Sequence, residues 1–347
     1  MDISKDNFLK AATGAGIDPE RAEACWNALQ AVQSPLSSTP LSKLLFYAGS
    51  LVVIASMTWL MTLGWETFGD LGMLAIAMVY SLIFTFCGSL LWNKSKNRGD
   101  LRVPGGLFIT MAVCMTPLIV YSLQSYLHLF PEKTPDHYTN FYYQISSSWI
   151  WMELATIFTG MLALHFVRFP FLTLPIFVSS WFFTMDVIPL LVGNDITWDQ
   201  KNWISLFFGI ILLSVSCFID QKSKKNYAFW GYLFGTLVFW GALSSLSWES
   251  NSEIILFIYL ILNLFLMIAS IVVKRKILLV FGVIGFSSYL GHLAYDLFKN
   301  SIGFPFALSA VGLLIIYSGL LYQKHRSRIE SYIIDKIPVR LRIFFHK

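Results

Sequence analysis

Two carboxylates raise the question of chemistry. Glu153 lies in the apolar run 148–167 and Asp186 in the run 171–192, and only the turn Arg168-Phe-Pro170 separates the two runs. Each run is long enough to cross a bilayer, which takes about 20 apolar residues. An ionisable group inside a span is expensive, so it reads as a functional site by default. A helical rise of ~1.5 Å per residue puts Glu153 roughly 7–8 Å, and Asp186 roughly 9 Å, below the outer ends of their runs. His292, in the run 277–298, falls at a similar level, Asp296 stands one turn above it, and His128 closes the run 105–128. Convergence of ionisable groups from three spans at one depth is what a substrate- or ion-binding site between helices requires. If Glu153 and Asp186 both face the bundle, their charges repel, and one keeps its proton at neutral pH unless a cation intervenes. His292 is the candidate partner for that place.

A plainer reading stands beside each of these residues. Groups near an interface can snorkel or bond to water. His292 and Asp296 are i,i+4 neighbours on one helix face and suit a structural hydrogen-bonded pair. His165, near the inner end of its run, suits the interface. Gly285-Phe-Ser287-Ser288 followed by His292 has the residue types of an intramembrane serine protease, yet serine and histidine share one helix. No nucleophile, base and orienting group come together, so no catalytic residues are assigned and an enzyme is disfavoured. HExxH, Walker A and GxGxxG are all missing from the sequence. Cys25, Cys87, Cys114 and Cys217 lie far apart and read as small packing residues, with no disulfide framework, metal site or cofactor expected.

These residues need helices in lipid to position them. The chain has 347 residues, of which 56% are hydrophobic and only 13% charged, whereas a soluble domain carries about 25% charged residues. Mean hydropathy is +0.63. The expected class is therefore an all-α polytopic membrane helix bundle. Ten apolar runs can be placed, at 41–63, 70–92, 105–128, 148–167, 171–192, 202–219, 227–248, 254–273, 277–298 and 304–323. With the N-terminus inside, every Lys and Arg among the 25 falls in an inner segment except Lys133, Lys201 and Lys299. That is a strong positive-inside pattern, and adding or deleting one span would spoil it. The expectation is ten spans, N-in and C-in. The outer loops are short and acidic, and only 129–147 is long enough for structure of its own.

Residues 1–40 form a small cytoplasmic helical unit and linker. Asp18-Pro19-Glu20 is a helix start, with Asp as cap and Pro at the first helical position. Ala22, Cys25, Trp26, Leu29 and Val32 follow at helical spacing and suit packing on Phe8, Leu9 and Ala12, or on the membrane surface. Residues 33–40 are a breaker-rich linker. No cleavable signal peptide is expected, because 1–40 lack an apolar core segment, so the first span would act as the insertion signal. The tail 324–347 mixes Ile329, Tyr332 and Ile333 with Arg326, Arg328, Arg340 and Arg342. A basic amphipathic segment beside a span suits anionic headgroups of the inner leaflet, and the positive-inside trend explains it equally well. A nucleic-acid partner is not expected. Gly231-Tyr-Leu-Phe-Gly235 allows close helix approach, to a neighbour in the same chain more readily than to a second subunit, and an oligomer stays open.

Gly16-Ile-Asp-Pro-Glu-Arg-Ala-Glu23, Leu41-Ser-Lys-Leu-Leu-Phe-Tyr-Ala-Gly49 and Trp59 resemble segments of a group of bacterial membrane proteins classed only as having a domain of unknown function. Phe169-Pro-Phe-Leu-Thr-Leu-Pro175 and Met185-Asp186 are also similar to segments of that group. The resemblance implies a short helical cytoplasmic unit ahead of a run of membrane helices, in a multi-pass protein of the bacterial cytoplasmic (inner) membrane. It supplies no activity.

Two function classes remain. One is a transporter or lipid flippase using the outer-half carboxylate and histidine site, with a small molecule, a lipid or a cation as substrate. Ten spans divide as five plus five, which would invert the second half, although no internal sequence repeat is evident. The other is a non-catalytic scaffold or sensor that works through the N-terminal unit and the basic tail. An outward vestibule lined by Glu153 and Asp186 would favour the first, and a solid bundle the second.

Overall fold

The computed structural model describes residues 5–32, 40–95, 101–129, 149–192, 196–222, 227–250 and 252–298, with scattered positions of 305–325. All of the regular structure among them is helical: α1 (Lys5–Gly14), α2 (Pro19–Val32), α3 (Pro40–Lys94), α4 (Arg102–Cys114), α5 (Thr116–Tyr126), α6 (Trp149–Phe166), a 3-10 turn (Pro170–Leu172), α7 (Thr173–Val192), α8 (Trp198–Lys222), α9 (Ala228–Glu249), α10 (Glu253–Val273) and α11 (Lys276–Phe298).

Among the described residues, eight helical segments are long and apolar enough to cross a membrane: the second arm of α3 (Thr67–Lys94), α4 with α5, and α6 to α11. They coincide, within a few residues at each end, with eight of the ten apolar runs. The first run, 41–63, falls in the first arm of α3, where the apolar stretch is Leu44–Met57. The tenth, 304–323, lies largely outside the described residues, as do loop 130–148 and the tail positions Arg326, Arg328, Arg340 and Arg342. α3 reverses at Gly69, whose φ of 62° lies in the left-handed region that glycine adopts without a Cβ clash. Leu60 packs on the cluster of Met73, Ala77 and Leu118, while Val53, Ile54 and Met57 pack on the cluster of Phe84, Met111, Ala112 and Met115. Residue numbers rise along one arm as they fall along the other, so the two arms are antiparallel.

The bundle has two unlike ends. One carries Lys94, Arg102, Arg168, Lys222 and Lys274–Lys276; the other carries Asp199, Glu249 and Glu253. At the basic end, Phe171 meets Tyr47 (ring centroids 5.3 Å apart) and Trp230 (4.5 Å), joining α3, the 3-10 turn and α9. Leu107, Val113, Phe169 and Leu172 are buried beneath them. Lipid tails are as apolar as Leu, so helices in a bilayer associate through close packing at small residues. Gly106 faces the Phe169 ring, Gly160 faces Ile176, and Gly209 faces the backbone of Phe239. The Gly231–Gly235 pair turns toward Ser216, Leu212 and Leu213, so this motif seats α9 on α8 of the same chain. Hydroxyls within the helices bond back to the preceding turn, as Thr156 does to the Met152 carbonyl (2.6 Å) and Ser216 to the Leu212 carbonyl (2.7 Å). Away from the bundle, α1 and α2 pair through Phe8 and Trp26, whose ring centroids are 5.2 Å apart.

Candidate functional site

α6 buries Met152, Glu153, Thr156 and Gly160, a stripe at helical spacing that faces inward. α7 answers with Ile176, Ser179, Met185 and Asp186. The tight turn at Arg168–Pro170 forces the two helices side by side, so the stripes meet. Glu153 is 8% exposed and Asp186 4%. Each carboxyl lies within hydrogen-bonding reach of the other. Yet Glu153 Oε2 and Asp186 Oδ2 are buried with no hydrogen-bond partner among the described residues. A buried polar atom without a partner costs about 1–3 kcal/mol, more when charged. Two negative charges in contact would add repulsion, which a cation or a shared proton between them relieves.

The neighbouring helices bring further polar groups to this level. Thr116 of α5 and Thr159 of α6 are hydrogen-bonded at 3.1 Å. Six residues from each toward the acidic end stand Ser122 and Glu153, and equal rises of ~9 Å put them at one depth. Ser122 and Ser125 are buried, and their Oγ atoms also lack a partner among the described residues. On the other flank, Trp181 Nε1 donates to Ser205 Oγ at 3.2 Å. Asp186 lies five residues beyond Trp181, and Lys201 four residues before Ser205, so both stand about 6–8 Å toward the acidic end from that bond. Lys201 is half-buried, and its positive charge bears on Asp186. At this level two carboxyls stand together with the Lys201 charge bearing on Asp186, and α5 contributes the buried Ser122 hydroxyl at the same depth, with Ser125 about one turn beyond it.

Sequence reasoning missed Ser122, Ser125 and Lys201. Lys201 did carry a signal, as one of only three basic residues assigned to the acidic loops.

The structure places His292 elsewhere. Its Nε2 lies 3.3 Å from Glu253 Oε1, and its ring stands edge-on to Trp248 at 5.2 Å. The cause is the docking of α11: Gly282 and Gly285 seat it against Met267 and Asn263 of α10, which directs His292 to the first turn of α10. Asp296 falls in α11, one turn beyond His292, and its side chain is outside the described residues. His128 is exposed just past the end of α5 with a left-handed φ of 54°, and His165 is exposed beside Phe166. Among the described residues no group of three His, Cys, Asp or Glu is placed to hold a metal ion. The four cysteines are free thiols. A groove of about 990 Å³ opens between α8, α9 and α10, away from both carboxylates. Comparison with protein-family models, with curated proteins and with solved structures returns no match to this chain.

Proposed function

We propose that this multi-pass membrane protein is a proton- or cation-coupled transporter, and that the Glu153–Asp186 pair holds the coupled ion. One observation carries the reading: two carboxyl oxygens without partners are buried together inside a hairpin of spans. Two carboxyls buried in contact must share a proton or hold a cation, which is the condition an ion-coupling site needs. A monovalent cation or a proton fits between two carboxyls, and Ser122 supplies a neutral oxygen at the same depth. Lys201 supplies a tethered positive charge that competes with the ion and favours its release. The same reading takes the chain as ten spans with both termini in the cytoplasm of a bacterium, the first arm of α3 and residues 304–323 being the remaining crossings. In it, the basic tail 324–347 contacts anionic headgroups of the inner leaflet.

The scaffold or sensor reading draws on the burial of both carboxyls, which line no open vestibule among the described residues, and on the α1–α2 pair joined by Phe8 and Trp26. Substitution distinguishes the two. Glu153→Gln and Asp186→Asn keep shape and polarity, so the variants are expected to fold, to lose any stabilisation of the purified protein by Na+, K+ or Li+ in thermal melts, and to lose the phenotype. If these two variants and Asp186→Leu all leave stability, ion response and phenotype unchanged, the carboxyl pair binds nothing and the scaffold reading stands.

A further inference from the structure

The groove between α8, α9 and α10 is not used by the carboxyl site. α9 forms its floor; Leu206, Ile210 and Leu213 of α8 form one wall, and Ile258, Leu262 and Phe265 of α10 the other. It runs from Trp203 to Cys217 along α8, a length of ~21 Å at helical rise. One leaflet of hydrocarbon is about half of ~30 Å, so a whole acyl chain fits. Its volume of about 990 Å³ stands at the upper end of ligand sites, which span about 300–1,000 Å³.

Basic residues gather at one mouth. At the basic end, Lys222 closes α8 while Lys274, Arg275 and Lys276 join α10 to α11. Arg275 pairs with Asp220, and its guanidinium sits 5.5 Å from the centre of the Tyr232 ring. Tyr232 lines the groove and is 2% exposed. Its hydroxyl stands beside the Cys217 thiol. At the other end of the groove, Glu253 faces His292 of α11 and Glu249 accepts from Ser245 Oγ, and neither carboxylate is among the groove's lining residues.

We propose that this groove is a binding site for an anionic phospholipid, its acyl chain lying along α9 and its phosphate at the basic mouth beside Tyr232, Lys274 and Arg275. The basic cluster at one mouth fixes the direction of the lipid, because a phosphate is attracted there. The lining argues against a helix of a second copy: interfaces between membrane helices are built from small residues, and these walls are mostly Leu, Ile and Phe, with Ser214, Cys217 and Ala269 the small residues among them. The site is independent of the carboxyl pair and stands whether or not the protein transports an ion.

The test uses the full-length protein in detergent, challenged with phosphatidylglycerol, phosphatidylcholine or inorganic phosphate, and read by native mass spectrometry and thermal melting. Phosphatidylglycerol is expected to be retained in preference to phosphatidylcholine and to raise the melting temperature, while inorganic phosphate does neither. Lys274→Gln weakens phosphatidylglycerol retention roughly fivefold, as removal of a lysine near an anionic headgroup predicts. Tyr232→Phe keeps the ring and lowers the preference for the anionic lipid. Ala269→Trp fills the groove and abolishes retention; Ser214→Trp does the same from the α8 wall if Ala269→Trp fails to fold. Equal retention of both lipids, phosphatidylglycerol binding insensitive to both tryptophan variants, stabilisation by inorganic phosphate alone, or a dimer that either tryptophan variant dissociates would each overturn the proposal.

Discussion

The indole N–H of Trp181 donates to Ser205 Oγ at 3.2 Å, and this bond between α7 and α8 sets Asp186 level with Lys201. Ser205→Ala removes the acceptor and leaves the helix intact. Hydrogen bonds between membrane helices contribute about 0.6 kcal/mol on average and at most about 1.7. Ser205→Ala and Trp181→Phe are expected to lower stability by amounts in that range. In a double-mutant cycle by thermal or denaturant unfolding, the two losses should not add. Additive losses would mean that the bond does not couple the helices.

Lys201→Met removes the positive charge beside Asp186. Under the ion-site reading it should strengthen stabilisation by added monovalent cations, since the competing ammonium is gone. Lys201→Glu puts a third carboxylate at the site and should lower the melting temperature, most of all in cation-free buffer. Melting curves with and without NaCl, at constant total ionic strength set by a large organic cation, measure both effects. An unchanged cation response in Lys201→Met would separate Lys201 from the site.

Asn263 is fully buried; it donates to the Tyr259 carbonyl at 2.8 Å and accepts from Trp240 Nε1 at 3.1 Å. Gly285 of α11 lies against this side chain, leaving no room for a Cβ. Gly285→Ala therefore overpacks a bonded group and should cost about 1–3 kcal/mol. Asn263→Ala alone should also destabilise, because it leaves the Trp240 N–H unpaired. Adding Asn263→Ala to Gly285→Ala should recover part of the loss, because it opens space for the new methyl. Unfolding of the three variants decides it, and a double variant less stable than Gly285→Ala would show that the clash is not with Asn263.

Topology can be read with a reporter that is active only outside the cytoplasm. Fusions after residues 98 and 224, beside the basic end, should be silent, and fusions after 136 and 197 should be active. A reversed result at any one of these sites removes the ten-span, N-in arrangement.

Span positions were legible in the sequence because hydropathy is a local property. The runs 148–167, 254–273 and 277–298 reappear as α6 (Trp149–Phe166), α10 (Glu253–Val273) and α11 (Lys276–Phe298). The carboxyl pair was legible for a similar reason. A three-residue turn forces its two helices together, and a constant rise per residue then puts Glu153 and Asp186 near one depth. The Gly231–Gly235 motif likewise announced a close helix contact, though not that α8 would fill it.

Rise gives depth along an axis and nothing about the direction a residue faces around it. His292 shared the depth of the carboxylates, yet it stands beside Glu253 because glycines on α11 select α10 as its neighbour. Lys201 took the place beside Asp186 through a bond between Trp181 and Ser205 that no local pattern announced. The groove exists because α8 and α10 both pack on α9 with a gap between them, an arrangement set by contacts far apart in the chain. By itself, then, the sequence determined the membrane class, eight of its span positions and the pairing of two carboxylates across a short turn. Only the tertiary structure decided which other helices surround that pair, because neighbours in a bundle are chosen by the fit of small residues across interfaces.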